Sequence, residues 1–214
     1  LIIDTETAQG LESPIVYDIG LIIANKQGDI YHTQSFIIDE VFYNNELMDT
    51  AYYRDKVPLY NEMVDNGEIW ALPFRDIREY ILESMVSYQI QHCMAFNAIF
   101  DRRALNNTMS WINYDLKKFY FPYGIKWYCI MKLAKQTIGK TENYKKWCEL
   151  FPEERKYGKY LQFCRGTAEM FYQYITDNPN YEENHTGLSD AFIELEIYKY
   201  CKENFDISGV NWKL

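Results

Sequence analysis

The sequence predicts an α/β protein, a mixed β-sheet flanked by helices. Three observations carry this expectation. The first forty residues hold three runs rich in β-branched and aromatic residues, apolar residues recur at helical spacing from Phe74 onward, and strand-like and helix-like segments then alternate. At 214 residues and 48% hydrophobic content the chain can bury a sizeable core. The expectation is one domain over residues 1–214, since no internal repeat, Pro-rich linker or low-complexity tract interrupts it.

The elements follow in order. Leu1 to Asp4, Ile15 to Ile23 and Ile30 to Ile38 read as strands of one sheet, the last two separated by the turn-like cluster Asn25-Lys26-Gln27-Gly28-Asp29. Val41 to Leu72 is the least regular stretch of the first half. It interleaves Tyr52, Tyr53, Tyr60 and Trp70 with Arg54 and Lys56, a composition suited either to stacking on nucleobases or to packing. Ile77, Ile81, Met85 and Tyr88 mark a helix from Phe74. A strand then runs into Asn97, with a helix starting near Asp101. Trp127 to Ile130 reads as a strand running into a helix at Met131 to Thr137. Leu161, Cys164, Ala168, Phe171 and Ile175 step by three and four, a helix that stops before Pro179. Leu188, Ala191, Phe192, Leu195 and Tyr198 mark the last one.

Composition narrows the function classes. The five cysteines are odd in number, scattered and without a C-x-x-C pair, so neither a disulfide framework nor a zinc site is expected, and a reducing, intracellular (cytoplasmic) setting fits. No apolar run approaches the roughly 20 residues of a membrane span, and no leader pattern is visible, so no membrane partner is expected. The chain opens inside an apparent strand without Met, which leaves room for residues upstream. The net charge of −9 conceals a basic middle third: residues 101–165 carry 14 Lys/Arg against 6 Asp/Glu. Such a segment attracts a phosphate backbone, unless it is spent on ion pairs with its acidic neighbours. Neither a P-loop nor a G-x-G-x-x-G fingerprint is present, which leaves nucleoside triphosphatases and dinucleotide enzymes without support.

Three short motifs carry the chemistry: Asp4-Thr5-Glu6, Asn97-Ala98-Ile99-Phe100-Asp101, and His185-Thr186-Gly187-Leu188-Ser189-Asp190. In a strand, residues i and i+2 point to one face, so Asp4 and Glu6 can converge on a shared metal pair. Asp190 opens a helix that is apolar on most of its circumference, and a buried carboxylate must be paired or bind a metal. The plainer alternative is dipole stabilisation of an acidic first turn, worth about 0.3–1 kcal/mol. His185 precedes that helix in a loop. An imidazole titrates near about 6.5 and can take a proton from water. His32 and His92 match no motif.

In content, order and setting the three motifs resemble the DEDDh family of 3′→5′ exonucleases, which includes the proofreading subunit of bacterial DNA polymerase III and ribonuclease T. The resemblance implies a ribonuclease H-like fold and two Mg²⁺ or Mn²⁺ ions held by Asp4, Glu6, Asp101 and Asp190, Asp4 being shared. It implies His185 as the general base, with Thr5, Thr7, Asn97 and Phe100 binding substrate. Thr5, Thr7 and the backbone amides after Asp4 would receive the 3′-terminal sugar, and Phe100 would pack near the terminal nucleotide. The family more often continues the first motif as Thr-Gly, whereas this chain has Thr7-Ala8-Gln9-Gly10. That departure touches the nucleotide pocket and spares the metal ligands. The resulting expectation is an exonuclease acting on the 3′ end of single-stranded DNA and releasing nucleoside 5′-monophosphates. The alternatives are an RNA exonuclease similar to ribonuclease T or oligoribonuclease, and a catalytically silent module that binds nucleic acid or a polymerase or other replication protein.

Overall fold

The computed structural model describes residues 1–112, 119–150 and 166–214. Six strands form one mixed sheet in the order β4-β3-β2-β1-β5-β6. The strands β1 (Ile2–Ala8), β2 (Ile15–Ala24) and β3 (Ile30–Ile38) make an antiparallel meander. The strands β4 (Trp70–Leu72), β5 (His92–Ala95) and β6 (Lys126–Cys129) add in parallel at the two sides. The meander arises from short turns, while each parallel strand must be reached by a crossover, which supplies the helices. The α/β class expected from the sequence is the class observed.

Two apolar layers follow from the alternation of side chains along the central strands. Ile3, Ile19 and Leu21 face α4 (Phe74–Ser87) and α5 (Ala98–Trp111). Ile2 and Ile22 face the other layer, which includes α6 (Ile130–Gln136) and the C-terminal helix Gly187–Asn204. β2 is buried along almost its whole length, and its one charge is Asp18. The C-terminal helix buries Ile193, Leu195, Ile197 and Cys201 on several sides, because β1, β2 and the neighbouring helices surround it.

The stretch Val41 to Leu72 is more ordered than its composition suggests. It holds α1 (Asp39–Phe42, just overlapping its start), α2 (Asn45–Met48), a 3₁₀ turn at Arg54–Lys56, α3 (Val57–Asp65) and β4. Pieces of three or four residues are too short to leave a periodic pattern. α5 starts three residues before the expected Asp101, because the Asn97 carbonyl already accepts the Phe100 amide at 2.7 Å. α7 (Glu142–Glu149) lies where no element was expected. Of the helix expected over Leu161 to Ile175, the described part is α8 (Ala168–Ile175), and Leu161 and Cys164 lie outside the described residues. The C-terminal helix is α9. Cys93, Cys129 and Cys201 are buried free thiols, and Cys148 is disulfide-bonded, a single bond that the expectation of no disulfide framework did not include. Among the described residues no helix is long and apolar enough to cross a membrane.

Candidate metal centre

Asp4 and Glu6 lie on β1 on the same face as Ile2, which packs against α9. Their cross-strand partners on β2 are Gly20 and Asp18. Gly20 is what lets α9 approach. A Cβ there would lie 2.0 Å from the Gly187 carbonyl carbon and from the Leu188 amide nitrogen, so any side chain would push the helix N-terminus off the sheet. With that terminus seated, Asp190 in its first turn comes beside Glu6. Among the described residues Glu6, His185 and Asp190 form a group whose candidate ligand atoms all lie within 4.8 Å of one another.

Asp101 arrives from the first turn of α5, after the parallel strand β5. It is 3% exposed, and it accepts a hydrogen bond from the Thr5 hydroxyl at 2.9 Å. Thr5 points to the opposite face of β1 from Asp4, and its hydroxyl is spent on orienting Asp101. Thr7 follows a register shift in the β1–β2 ladder. Asn97 is an exposed helix N-cap. Phe100 is half-buried, with the Arg103 guanidinium 5.8 Å from its ring centre.

His185 adopts a left-handed backbone, φ +50°. Its Nδ1 lies 3.6 Å from a Glu183 oxygen and 3.8 Å from an Asp190 oxygen. Tyr53 stacks on the imidazole, ring centres 4.3 Å apart and planes within 14°. Lys56 donates to the Asn184 carbonyl and sits 5.2 Å from the Tyr53 ring centre. The aromatic and basic cluster expected to act together is therefore divided. Tyr53 and Lys56 cover the histidine, and Tyr52 is 85% exposed beside them. Tyr60 is buried, and Trp70 packs on Phe36 and Tyr80 at the sheet edge.

Three further carboxylates belong to this neighbourhood. Glu194, one turn after Asp190, is fully buried, faces Asp4 and accepts the Phe96 amide at 2.7 Å. Glu183 flanks His185, and Asp18 lies under the loop that carries it. The legible signals were a lone Asp within an apolar strand and a Glu four residues after Asp190 in an apolar helix.

The electrostatics follow from crowding acids in a poorly solvated place. Burial, then Glu194, Asp101, Asp190 and Glu6, hold the Asp4 carboxyl well above the usual carboxylate range. Burial and Asp190 push Glu6 up to about 9, and burial raises Asp101 to about 7 against the opposing Thr5 hydrogen bond. Burial followed by Asp190 raises Glu183 to about 7. Such a set, one imidazole and several hard oxygen donors, suits a divalent cation such as Mg²⁺ or Mn²⁺.

In metal-free protein these groups keep protons that the unfolded chain releases near its ordinary values of 4.5 for Glu6 and 3.8 for Asp101. The folded state thus binds more protons over this window, so stability is fullest below about pH 4 and falls as pH rises toward 9. In EDTA the melting temperature is expected to be about 5–10 °C lower at pH 9 than at pH 5, with divalent metal narrowing the gap. A melting temperature that rises over that interval would contradict the assigned shifts.

The comparison with solved structures gives a fold-level likeness. The crystal structure of cell-death related nuclease 4 (CRN-4) matches with a TM-score of 0.55 and 11% identity, over 94% of this chain and 62% of that one. This chain thus spans less than two thirds of that protein's length. No protein-family model and no curated protein matches. At this identity the likeness carries the fold, a ribonuclease H-like sheet flanked by helices.

Proposed function

We propose that this chain is a metal-dependent 3′→5′ exonuclease that removes nucleoside 5′-monophosphates from single-stranded DNA. One observation carries the reading: Glu6 from β1, Asp190 from α9 and His185 from the preceding loop converge within 4.8 Å, beside half-buried Asp4 and buried Asp101. Crowded carboxylates repel one another without a cation. The description of the solved neighbour as a nuclease accords with this reading.

Asp4, Glu6, Asp101 and Asp190 would hold two ions, Mg²⁺ or Mn²⁺. When bound, such ions lower the pKa of the attacking water and stabilise charge on the phosphate and the leaving oxygen. His185 receives the water's proton. With Nδ1 directed at Glu183 and Asp190, Nε2 is the atom left to accept it. Thr5 keeps Asp101 in orientation. Thr7, Asn97 and Phe100 would bind the 3′-terminal nucleotide, and the exposed Tyr52 ring would offer a stacking face to a base.

The test is incubation with 5′-labelled single-stranded DNA and RNA of one sequence, with Mg²⁺, Mn²⁺ or EDTA. A metal-dependent ladder shortening from the 3′ end is expected, longer on DNA. A stronger RNA ladder would move the substrate to RNA, through a 2′-hydroxyl contact. No cleavage of either strand would point to a silent binding module.

The basic segment yields a separate expectation. Arg102 is exposed on α5, whereas Arg103 donates to the Leu11 carbonyl at 2.8 Å, and Lys117 and Lys118 lie outside the described residues. Arg102→Glu should weaken DNA binding and reduce the slope of log K against log salt by about 0.7 if it meets one phosphate of a single strand. An unchanged slope would assign Arg102 to the solvated surface.

A further inference from the structure

We propose that Asp18, with Tyr60, is the positioning residue for His185, setting the imidazole through the backbone of the loop that carries it. For the histidine's role as base this rests on the exonuclease reading; for the geometry it does not. Asp18 lies at the centre of β2, fully buried, directly across from Glu6 and on the same face of the sheet. One of its oxygens accepts two bonds of 2.7 Å, from the Gly187 amide and from the Tyr60 hydroxyl. Tyr60 also reaches the His185 carbonyl at 3.4 Å. The two residues thus grip the loop on both sides of Thr186.

That grip has something to hold. A left-handed backbone is uncommon for a residue with a side chain, so the surrounding contacts must impose it on His185. The loop has little room to relax, because a Cβ on Gly187 would come within 2.5 Å of the Gly20 amide nitrogen. The burial of a carboxylate in an otherwise apolar strand is explained by the same contacts. The Gly187 amide, the Tyr60 hydroxyl and, at 3.5 Å, the Ser35 hydroxyl all donate to it, and buried donors need an acceptor.

The test uses Asp18→Ala, Asp18→Asn and Tyr60→Phe, each in the wild-type and the His185→Ala background. Asp18→Asn removes the charge but keeps an oxygen that can accept both bonds, so it separates seating of the loop from electrostatic influence on Glu6. Asp18→Ala is expected to lower kcat about 10- to 100-fold with KM and Mn²⁺ affinity little changed. Asp18→Asn should recover most of that loss, and Tyr60→Phe should show a smaller one. In the His185→Ala background none of the three should lower kcat further. A second readout needs no activity: the rate at which diethyl pyrocarbonate modifies His185, by mass spectrometry with His32 and His92 as internal references. It should rise several-fold in Asp18→Ala and stay near wild type in Asp18→Asn. If Asp18→Ala does not fold, Tyr60→Phe carries both readouts. Equal losses of kcat in both backgrounds, or an unchanged modification rate, would overturn the proposal. Wild-type protein that cleaves nothing, with the modification rates shifting as expected, would remove the exonuclease reading and leave the positioning of His185 standing.

Discussion

Asp4→Ala is expected to lower metal-dependent hydrolysis by at least about 10³-fold, since several kcal/mol of transition-state charge stabilisation would go with the shared metal ligand. It should do so without harming the fold. Asp4 sits amid Glu194, Asp101, Asp190 and Glu6, and both its burial and their repulsion oppose its ionisation. Removing that charge relieves the metal-free protein, whose melting temperature in EDTA at pH 8 should rise, while the increase on adding Mn²⁺ should shrink. Gel ladders and thermal melts on one preparation test both halves. Retained hydrolysis would remove Asp4 from the centre. Lost hydrolysis with a fall in the metal-free melting temperature would recast Asp4 as a structural residue whose charge is satisfied within the fold.

The fold was legible where one element leaves one pattern. β2 and β3 are long runs of β-branched and aromatic residues around a turn, and the apolar positions of α4 recur at steps of about four. β4 was not legible, because its three residues pair only with the end of β3 and are specified by that partner. The candidate centre was legible for a different reason. Asp4 and Glu6 interrupt an otherwise apolar run on one face of β1, and Asp101 and Asp190 open helices that pack on the sheet, so these four carboxylates stand out as residues needing a purpose. What sequence could not show is who holds these residues. Thr5 orients Asp101, Tyr53 covers His185 and Asp18 anchors Gly187 across 96 to 169 positions of chain, and no local periodicity reports such pairs. Glu194 is the intermediate case. It is one helical turn from Asp190 and so readable as a neighbour, yet its bond to the Phe96 amide links two elements that only the closed sheet brings together.

His185→Ala is expected to lower kcat by about 10²–10⁴-fold while leaving metal affinity nearly intact. On the proposed reading the two effects separate, because the carboxylates would hold the metal and the imidazole would take the proton. A base must be unprotonated to act, so wild-type kcat should climb with pH from the acid side, and this limb should flatten in the variant. Tyr53 supplies an internal control. Its ring covers one face of the imidazole, so Tyr53→Ala should loosen the histidine and lower kcat by a smaller factor while keeping the acid limb. Glu183 and Asp190 reach the same nitrogen, Nδ1, which fixes the orientation of the ring and leaves Nε2 for the water's proton. If His185→Ala instead abolished Mn²⁺ binding, the imidazole would be a metal ligand alongside Glu6 and Asp190, as their mutual distances also permit. The base would then have to be sought among the remaining groups of the cluster, with Glu183, pushed up to about 7, the first to examine.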